Sequence, residues 1–364
     1  MSMEYYLDEL FDLQMGKTPA RNNPEYWNSN DYKWISIGDL SKCGKYISET
    51  KEFLSEQAVK DSGISLIPTN TVIMSFKLSI GKTAITTEPM YSNEAIMSFR
   101  DKKTTELIPD YIYYLFSGKD WDVGTNKAVM GKTLNKATLS KTKVQIHSID
   151  KQKEIVEILD NVVSVINTRK QQLEKLDELV KARFVEMFGD YRVNDKGFEC
   201  RKGSDLFKFS SGKFLPEEKR LERGIPVYGG NGIAWYTNEH LTDYPTVIIG
   251  RVGAQCGNVH SVTEPVWITD NAIYIKEQKT TAYTLEFLTE LMRMMKFYQY
   301  ADFSGQPKIT QKPLETLLYI MPPIELQKEY TAFVEQVDKS KFAVQKAFDE
   351  AQTLFDSLMQ QYFG

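Results

Sequence analysis

Few stretches of the 364-residue sequence combine residue types that could carry out chemistry. Cys256 and His260, in CGNVH, are zinc-ligand types, but no second pair stands at ligand spacing. A cysteine on a strand and a hydrogen-bonded histidine are the simpler interpretation. NPEYW (23–27) and MPPIE (321–325) come closest to the loop with which amino-methyltransferases hold a flipped base. The first lacks a second proline and the second lacks an amide or acid, so neither predicts methyl transfer.

The other candidates for catalysis have simpler explanations. GGNG (229–232) lacks the Lys-Ser/Thr pair with which a P-loop reaches phosphate and magnesium. Glu277 and Lys279, in IKEQK, are most simply a solvated strand end. The sequence therefore predicts a chain that is not an enzyme and binds no metal or cofactor of its own.

Two turns instead have the composition of a nucleic-acid contact. KLSIGKTA (77–84) and VYGGNGIAWY (227–236) combine Gly, Lys and Asn with aromatic residues. Backbone N–H groups and lysines can hold phosphates, while Asn, Gln and Arg can read base edges. Ordinary surface turns have the same composition, so this observation alone leaves both interpretations open. On the DNA-binding interpretation, the residues expected to contact DNA lie in these turns and in other Gly-rich or acid-free turns of the two halves: Lys82, Lys132, Lys136, Lys213, Tyr228, Asn231, Arg251, Gln306 and Lys308.

The net charge of −4 and the pI near 5.7 weigh mildly against a nucleic-acid binder, because phosphate contact needs a positive surface. The charge is partitioned along the chain, however. Segment 131–143 contains lysines and no acid, segment 201–223 is also basic, and the last part of the chain leans acidic. A local basic patch therefore remains compatible with DNA binding.

The sequence also indicates a compartment. No stretch approaches the ~18 consecutive apolar residues of a membrane span. The opening MSMEYYLDELFDLQ carries acids where a signal peptide carries a basic and then an apolar block. The three cysteines, Cys43, Cys200 and Cys256, are scattered, which argues against a disulfide framework. These features predict a cytoplasmic protein.

The chain contains one unit twice. Setting Gly189 on Gly364 aligns Gln152-Lys153-Glu154 with Gln327-Lys328-Glu329 and needs no gap back to residue 134. Further upstream, after gaps of a residue or two, SIGKTA (79–84) lies near GRVGAQ (250–255). A period this long indicates a duplicated domain, because solenoid units run ~20–50 residues.

Both halves show the same order of predicted elements. A turn-rich β region precedes a short helix, PDYIYYLFSG (109–118) or TLEFLTELMRMM (284–295), and then a loop, a strand and a long helix follow. The predicted divisions are a first domain at 1–150, a central helix at 151–190, a second domain at 191–323 and a C-terminal helix at 324–364.

The repeat suggests how the predicted DNA contacts correspond. In the alignment, three basic residues in each half lie at equivalent positions of the repeat. We expect their side chains to contact DNA phosphates. These residues are Lys82, Lys132 and Lys136 in the first half and Lys213, Arg251 and Lys308 in the second. Tyr228 and Asn231 sit in a loop with no exact counterpart in the first half, so we expect any contact they make with DNA to belong to the second half alone.

Both long helices carry apolar residues at alternating spacings of four and three. The first stripe is Ile155, Leu159, Val162, Ile166, Leu173, Leu176 and Val180, interrupted at Arg169. The second is Tyr330, Val334, Val337, Val344, Phe348, Ala351 and Phe355, interrupted at Lys341. Stripes this long indicate a coiled coil. The alternative is that each helix covers only its own domain, but a rod of roughly 55 Å exceeds one small domain.

These motifs resemble the specificity subunits of type I restriction-modification systems over essentially the whole chain. The resemblance is carried by MGKTPARNNPEYWNSNDYKWISIGDL (15–40), GIPVYGGNGIAWY (224–236), VIIGRVGAQCGNV (247–259) and SGQPKITQKPLETLLYIMPPIELQKEY (304–330). The Gln-Lys-Glu that opens each long helix and the Phe-Gly that ends it also match.

The resemblance implies an α+β fold. Two mixed α/β target recognition domains, related by pseudo-twofold duplication, would be joined by two long antiparallel coiled-coil helices. Each domain would read one half of a bipartite, asymmetric sequence in double-stranded DNA, and the helices would set the distance between the halves. In one departure, IHSID (146–150) stands where the second half has IMPPIE, so the first corner between strand and long helix lacks its prolines.

The resemblance also implies partners. Two modification (adenine methyltransferase) subunits per chain and restriction (translocase/nuclease) subunits would carry SAM, ATP and magnesium. The equivalent subunit of a type IIB-like enzyme, whose partner fuses modification and cleavage, is a close alternative. A coiled-coil adaptor that does not bind DNA is the alternative from a different class.

Overall fold

The computed structural model describes residues 2–77, 79–121 and 134–364. The chain forms two compact units, residues 1–168 with 347–364, and residues 169–346. No helix in the described part of the chain is both long and apolar enough to cross a bilayer.

The first unit contains ten strands and six short helices, followed by the first long helix. The strands are β1 (Ser2–Tyr6), β2 (Phe11–Met15), β3 (Tyr32–Ile35), β4 (Tyr46–Ile47), β5 (Glu52–Leu54), β6 (Val72–Ser75), β7 (Thr83–Thr86), β8 (Tyr91–Ser92), β9 (Ile96–Asp101) and β10 (Lys143–His147) among the described residues. The helices are α1 (Leu7–Leu10), α2 (Pro24–Trp27), α3 (Ile37–Leu40), α4 (Glu56–Ser62), α5 (Pro109–Gly118), α6 (Lys136–Ser140) and the long α7 (Ile149–Phe188).

The second unit follows the same plan. Its strands are β11 (Glu199–Lys202), β12 (Phe207–Ser211), β13 (Ile225–Gly229), β14 (Gly232–Thr237), β15 (Thr246–Gly250), β16 (Val259–Val262), β17 (Trp267–Ile268), β18 (Ala272–Gln278) and β19 (Leu318–Met321). Its helices are α8 (Gly203–Leu206), α9 (Leu285–Met294), α10 (Gln311–Thr316) and the long α11 (Ile324–Phe363), with 3₁₀ turns at Glu217–Lys219 and Phe297–Tyr300.

Sheet topology confirms the duplication. The main sheet has the order β2-β9-β6-β7 in the first unit and β12-β18-β15-β16 in the second, and β4 adds a fifth strand to the first. The parallel pair β3·β8 corresponds to β13·β17, and the antiparallel pair β1·β10 to β11·β19. One difference concerns the hairpin. β13 and β14 are joined by a two-residue turn, whereas the chain between β3 and β5 also forms α3 and β4.

Local sequence explains these elements. The uninterrupted apolar runs VIMS and TVIIG form the central strands β6 and β15, which are buried throughout because both faces of the sheet are covered. The predicted helix at 109–118 coincides with α5, which Pro109 opens. Thr284 caps α9, since its Oγ1 accepts from the N–H of Phe287 at 3.2 Å.

Both long helices are 40 residues long, and their predicted stripes face inward. All of the predicted stripe residues are buried or half-buried, while the flanking positions are mostly exposed. At the two predicted interruptions, the half-buried Lys341 lies 2.7 Å from Asp177, and Arg169 donates to Gln172 at 2.8 Å. The coiled-coil prediction is confirmed, and polar side chains at the breaks find partners on the helices themselves.

The helices pack antiparallel. In the first unit, Ile155 and Leu159 near the start of α7 share a core with Phe355 and Phe363 near the end of α11. In the second unit, the end of α7 packs against the start of α11. Phe184 and Phe188 contact Tyr330 with ring centroids 5.6 and 5.4 Å apart. The core of each unit therefore includes the start of one long helix and the end of the other. The terminal Phe of each helix belongs to this core.

A buried glutamine at the start of each long helix forms the same corner twice. The Gln152 amide donates to the carbonyls of Glu106 and His147, both at 2.9 Å, and accepts from the N–H of Ile108 at 3.0 Å. In the second unit, Gln327 donates to Ala282 (2.6 Å) and Pro322 (2.8 Å) and accepts from Thr284 (3.0 Å). The missing prolines of the first half therefore do not alter the corner, because the glutamine holds it in both.

Candidate nucleic-acid interface

Strand register brings Lys82 to one end of the first main sheet, and Lys213 and Arg251 to the same end of the second. In the first unit, the pairs Met15–Met97, Ser75–Ile96 and Met74–Thr83 show that β2 and β6 end where β7 and β9 begin. The pairs Ser211–Ile273, Gly250–Ala272 and Ile249–Val259 show the same in the second. We call these ends the first loop edge (16–17, 76–77, 79–82 and 93–95) and the second loop edge (212–213, 251–258 and 269–271).

Two further segments join the second loop edge. The N–H of Thr269 donates to the carbonyl of Tyr228 at 2.9 Å, which attaches the Gly230-Asn231 turn of the β13–β14 hairpin. The N–H of Gly253 donates to the carbonyl of Pro307 at 2.8 Å, which attaches the segment carrying Gln306 and Lys308. All six DNA contacts predicted in the second half thus lie together, namely Lys213, Tyr228, Asn231, Arg251, Gln306 and Lys308.

Glycines allow these loops to lie against one another. A Cβ on Gly250 would lie 2.3 Å from the carbonyl oxygen of Gln255, and one on Gly230 would lie 3.4 Å from the Gly250 Cα. Gly253 and Gly257 have φ angles of 81° and 85°. Only glycine adopts such angles without strain, so the glycine-rich composition serves loop packing as well as any ligand.

The cations of the second loop edge are free of carboxylate partners. In residues 134–364, no carboxylate oxygen lies within ion-pair distance of Lys213, Arg251 or Lys308. Lys308 lies near Asp302, whose pKa is lowered first by hydrogen bonding to Ser304 and also by the Lys308 charge. The surface is therefore mixed in charge and offers several unpaired cations to a polyanion.

A cavity of about 290 Å³ lies between the hairpin turn and residues 269–271. Thr269 and Asn271 line it together with residues 229–235. The Thr269 Oγ1 and the Trp235 Nε1 are buried without a hydrogen-bond partner in the described part of the chain. Arg220 covers the Trp235 ring at 4.4 Å. Unpaired buried polar groups are costly, and they are often found where a ligand supplies the partner.

The first loop edge carries fewer of the predicted contacts. Lys82 is exposed in the β6–β7 loop, and the exposed Lys136 is the first residue of α6. The N–H of Leu134 donates to the carbonyl of Phe76 at 3.1 Å, which places the start of α6 next to this edge. Lys132 lies outside the described residues.

Backbone hydrogen bonds correct the expected correspondence between the halves. The N–H of Ser75 donates to the carbonyl of Lys82, as that of Gly250 does to Asn258. Lys82 therefore corresponds to Asn258, although the letters of the repeat place it near Arg251. The sequence alignment misplaces Lys82 because the two loops differ in length. The hydrogen bonds between the strands establish the register.

The counterpart of Arg251 is Phe76. The N–H of Phe76 donates to the carbonyl of Ala95, and that of Arg251 donates to Asn271. The carbonyls of Phe76 and Arg251 accept in turn from Leu134 and from Ile309. Phe76 belongs to the core of the first unit, whereas Arg251 is half-buried at the surface of the second.

The sequence interpretation missed Lys17. Its N–H donates to the carbonyl of Ser92 at 2.8 Å, as that of Lys213 does to Ile268, also at 2.8 Å. The carbonyls of Lys17 and Lys213 accept from the indole N–H of Trp34 and Trp267, respectively. Lys17 is the structural counterpart of Lys213, and the Gly-Lys shared by MGKTP and SGKFLP was the available signal.

The residues first considered for catalysis have structural roles or remain unassigned. Asn23, in NPEYW, caps α2 by accepting from the N–H of Glu25 at 3.1 Å. GGNG is the hairpin turn, and no cluster of three or more possible metal ligands occurs among residues 2–77, 79–121 and 134–364.

The interpretation of CGNVH needs two corrections. Cys256 lies in the β15–β16 loop rather than on a strand, because the loop turns at Gly253 and Gly257. The Nε2 of His260 is buried without a hydrogen-bond partner in the described structure, because the ring packs beside Tyr228 and Gly232. Burial, and secondarily the charge of Arg293, lower the pKa of His260.

Comparison with protein families decides what this repeated architecture represents. The profile of the type I restriction modification DNA specificity domain matches residues 2–178 and again residues 195–350. The chain belongs to the family of type I restriction-modification specificity subunits. Its two copies of the domain coincide with the two copies of the sheet topology.

Similarity to individual specificity subunits supports the same family assignment. The chain is 25% identical to the specificity subunit of the type I restriction enzyme EcoprrI from Escherichia coli over 354 residues, which covers 91% of this chain and 86% of that one. It is 26% identical over 232 residues to the MjaIX specificity subunit of Methanocaldococcus jannaschii, covering 58% of this chain and 53% of that one. The crystal structure of the S subunit from M. genitalium has the same fold, with a TM-score of 0.63, 16% identity and coverage of 100% and 96%.

Proposed function

We propose that this chain is the non-catalytic subunit that reads a bipartite, asymmetric DNA sequence for a type I complex. The first recognition domain reads one half of the site, the second reads the other, and the α7–α11 pair sets the distance between them. Modification subunits, two per chain, and restriction subunits supply SAM, ATP and magnesium chemistry.

One observation carries the proposal: the two domains share a framework but not a loop surface. The strand order and the glutamine corner are the same in both. At the loop edges, however, a core phenylalanine in one domain corresponds to a surface arginine in the other. A symmetric dimer reads a palindrome. Two diverged loop edges on one repeated framework support the reading of two different half-sites.

The experiment is co-expression with a modification subunit followed by mapping of methylated adenines in genomic DNA. We expect one split motif with two different half-sites and a constant unspecified gap. Binding of the purified complex to that duplex should fall steeply with salt, because several lysines would displace counterions.

Other outcomes identify the alternatives. A salt-independent complex without methylation at a defined motif would favour the adaptor and contradict the proposal. A palindromic motif would contradict the two-reader arrangement. A motif that is methylated and also cut at a fixed distance on both sides by a single partner polypeptide would identify a type IIB-like enzyme.

A further inference from the structure

We propose that Arg251 is the residue with which the second recognition domain selects a guanine in its half-site. This inference rests on the proposed function and assigns a specific role at the second loop edge. From the sequence, Arg251 is predicted to contact phosphate, as are Lys213 and Lys308. The structure gives it different surroundings.

The guanidinium of Arg251 makes a hydrogen bond within the domain, whereas the ammonium groups of the two lysines make none in residues 134–364. Its Nη1 donates to the carbonyl of Asp270 at 3.2 Å, and its backbone is bonded to Asn271 and Ile309. Lys213 and Lys308 are exposed, and no hydrogen bond or ion pair holds their ammonium groups in residues 134–364. A fixed guanidinium loses little conformational entropy on binding, which matters for a directional contact more than for attraction to phosphate.

The guanidinium retains the donors that a guanine needs. Arginine has five N–H donors in a planar fork, and within residues 134–364 its guanidinium has one carbonyl partner and no carboxylate. The O6 and N7 of guanine accept both prongs of such a fork, which is the commonest specific contact in the major groove. Cytosine offers a donor at the corresponding position and adenine a donor beside one acceptor, so both match the fork less well.

The surroundings suit a base edge. Gly230 and Gly253 let the hairpin turn and Gln306 lie close to the arginine loop, because a Cβ on either glycine would meet atoms of the neighbouring loops. The exposed amides of Asn231, Asn271 and Gln306 lie on the attached segments and can read neighbouring bases.

The first domain shows that the fold itself does not require arginine here. Its structural counterpart Phe76 is only 1% exposed and packs in the core of that unit. The same backbone position is therefore structural in one domain and presents a polar side chain in the other. This difference is expected of a residue that serves the second half-site alone.

The test compares R251K and R251A with the matched variant K213A. Each is assembled with modification subunits and bound to duplexes carrying every single base-pair change in both half-sites, at several salt concentrations. R251K keeps the charge but loses the fork. We expect it to keep the salt slope and to lower the preference for guanine at one position by roughly tenfold or more. K213A should weaken all duplexes alike and reduce the salt slope by about one.

The outcomes separate this inference from the proposed function. If the wild-type complex is selective and R251K keeps every preference while R251A weakens all duplexes equally, Arg251 contacts phosphate and the inference is wrong. Loss of preference at a base pair other than G·C would also overturn it. A wild-type complex without any sequence preference would overturn the proposed function and this inference with it. Thermal unfolding of R251K, R251A and the wild type shows whether either variant has a folding defect. If R251A is destabilised, the conclusion is drawn from R251K, which is the milder change.

Discussion

At the scale of single residues, the two buried glutamines connect the helical framework to the recognition domains. Each is fully buried and bonds three backbone groups from two separate segments. Removing such a side chain leaves three buried polar groups unpaired, each at a cost of about 1–3 kcal/mol.

We therefore expect Gln327→Ala to lower the free energy of unfolding by roughly 3 kcal/mol or more. Gln171→Ala is the matched control, because Gln171 is exposed on the same kind of helix and should change stability by less than about 0.5 kcal/mol. Denaturant unfolding of the three proteins measures both values. Equal stability of the two variants would show that the corner does not depend on the glutamine.

His260 predicts how stability responds to acid. Because burial lowers its pKa in the folded protein, the unfolded chain binds a proton more readily between the two pKa values. The free energy of unfolding should then fall as the pH drops below about 6.5, by up to about 1.4 kcal/mol per pH unit for each such histidine.

The measurement is denaturant unfolding at pH 7.5 and 5.5 for wild type, His260→Gln and the exposed control His240→Gln. The difference between the two pH values should shrink more in His260→Gln than in His240→Gln, which makes the same substitution at an exposed position. An unchanged difference in both variants would assign the acid sensitivity to other groups. His147 is the other candidate, since its pKa is also lowered by burial.

At the scale of elements, the α7–α11 pair is where spacing can be altered without touching a loop edge. The compact units divide between Thr168 and Arg169 in α7, and between Lys346 and Ala347 in α11. Adding seven residues at both points keeps each stripe close to its phase and lengthens both helices by about 10.5 Å.

If the two long helices set the spacing between the half-sites, the methylated motif should keep both half-sites. Its unspecified gap should grow by up to about three base pairs, at ~3.4 Å each. Insertion in α7 alone is the control. It puts the two stripes out of register, so it should destabilise the protein rather than lengthen the gap. An unchanged gap in an active double-insertion variant would show that the helices do not set the spacing.

At the scale of the whole molecule, the duplication predicts that damage to one loop edge leaves the other half-site unaffected. Asn231→Ala should relax recognition in the half-site of the second domain only, by about 1–3 kcal/mol at the affected base pair. Lys136→Ala should weaken binding of every duplex and reduce the salt slope by about one. Binding to libraries randomised in one half-site at a time distinguishes these effects. Equal relaxation of both half-sites by Asn231→Ala would contradict the two-reader arrangement.

Local patterns in the sequence were sufficient for the two short helices, the central buried strands, the two long helices and the duplication. A stripe at spacings of four and three indicates a helix with one buried face, and an uninterrupted apolar run between turns indicates a buried strand. Both signals depend on neighbouring residues, and for this reason α5, α9 and the two stripes lie where the sequence predicts them. The repeat was visible because Gln152 and Gln327 stand at the same point of two similar helices.

Tertiary structure decided which residues correspond and which are held. Hydrogen bonds between strands match Lys82 with Asn258, and the alignment of the two halves misses this pair because the two loops differ in length. The fixed guanidinium of Arg251 depends on a carbonyl 19 residues away, and the glutamine corner on segments more than 40 residues away. Such contacts follow from the closure of the whole domain, so periodicity along the chain carries no trace of them.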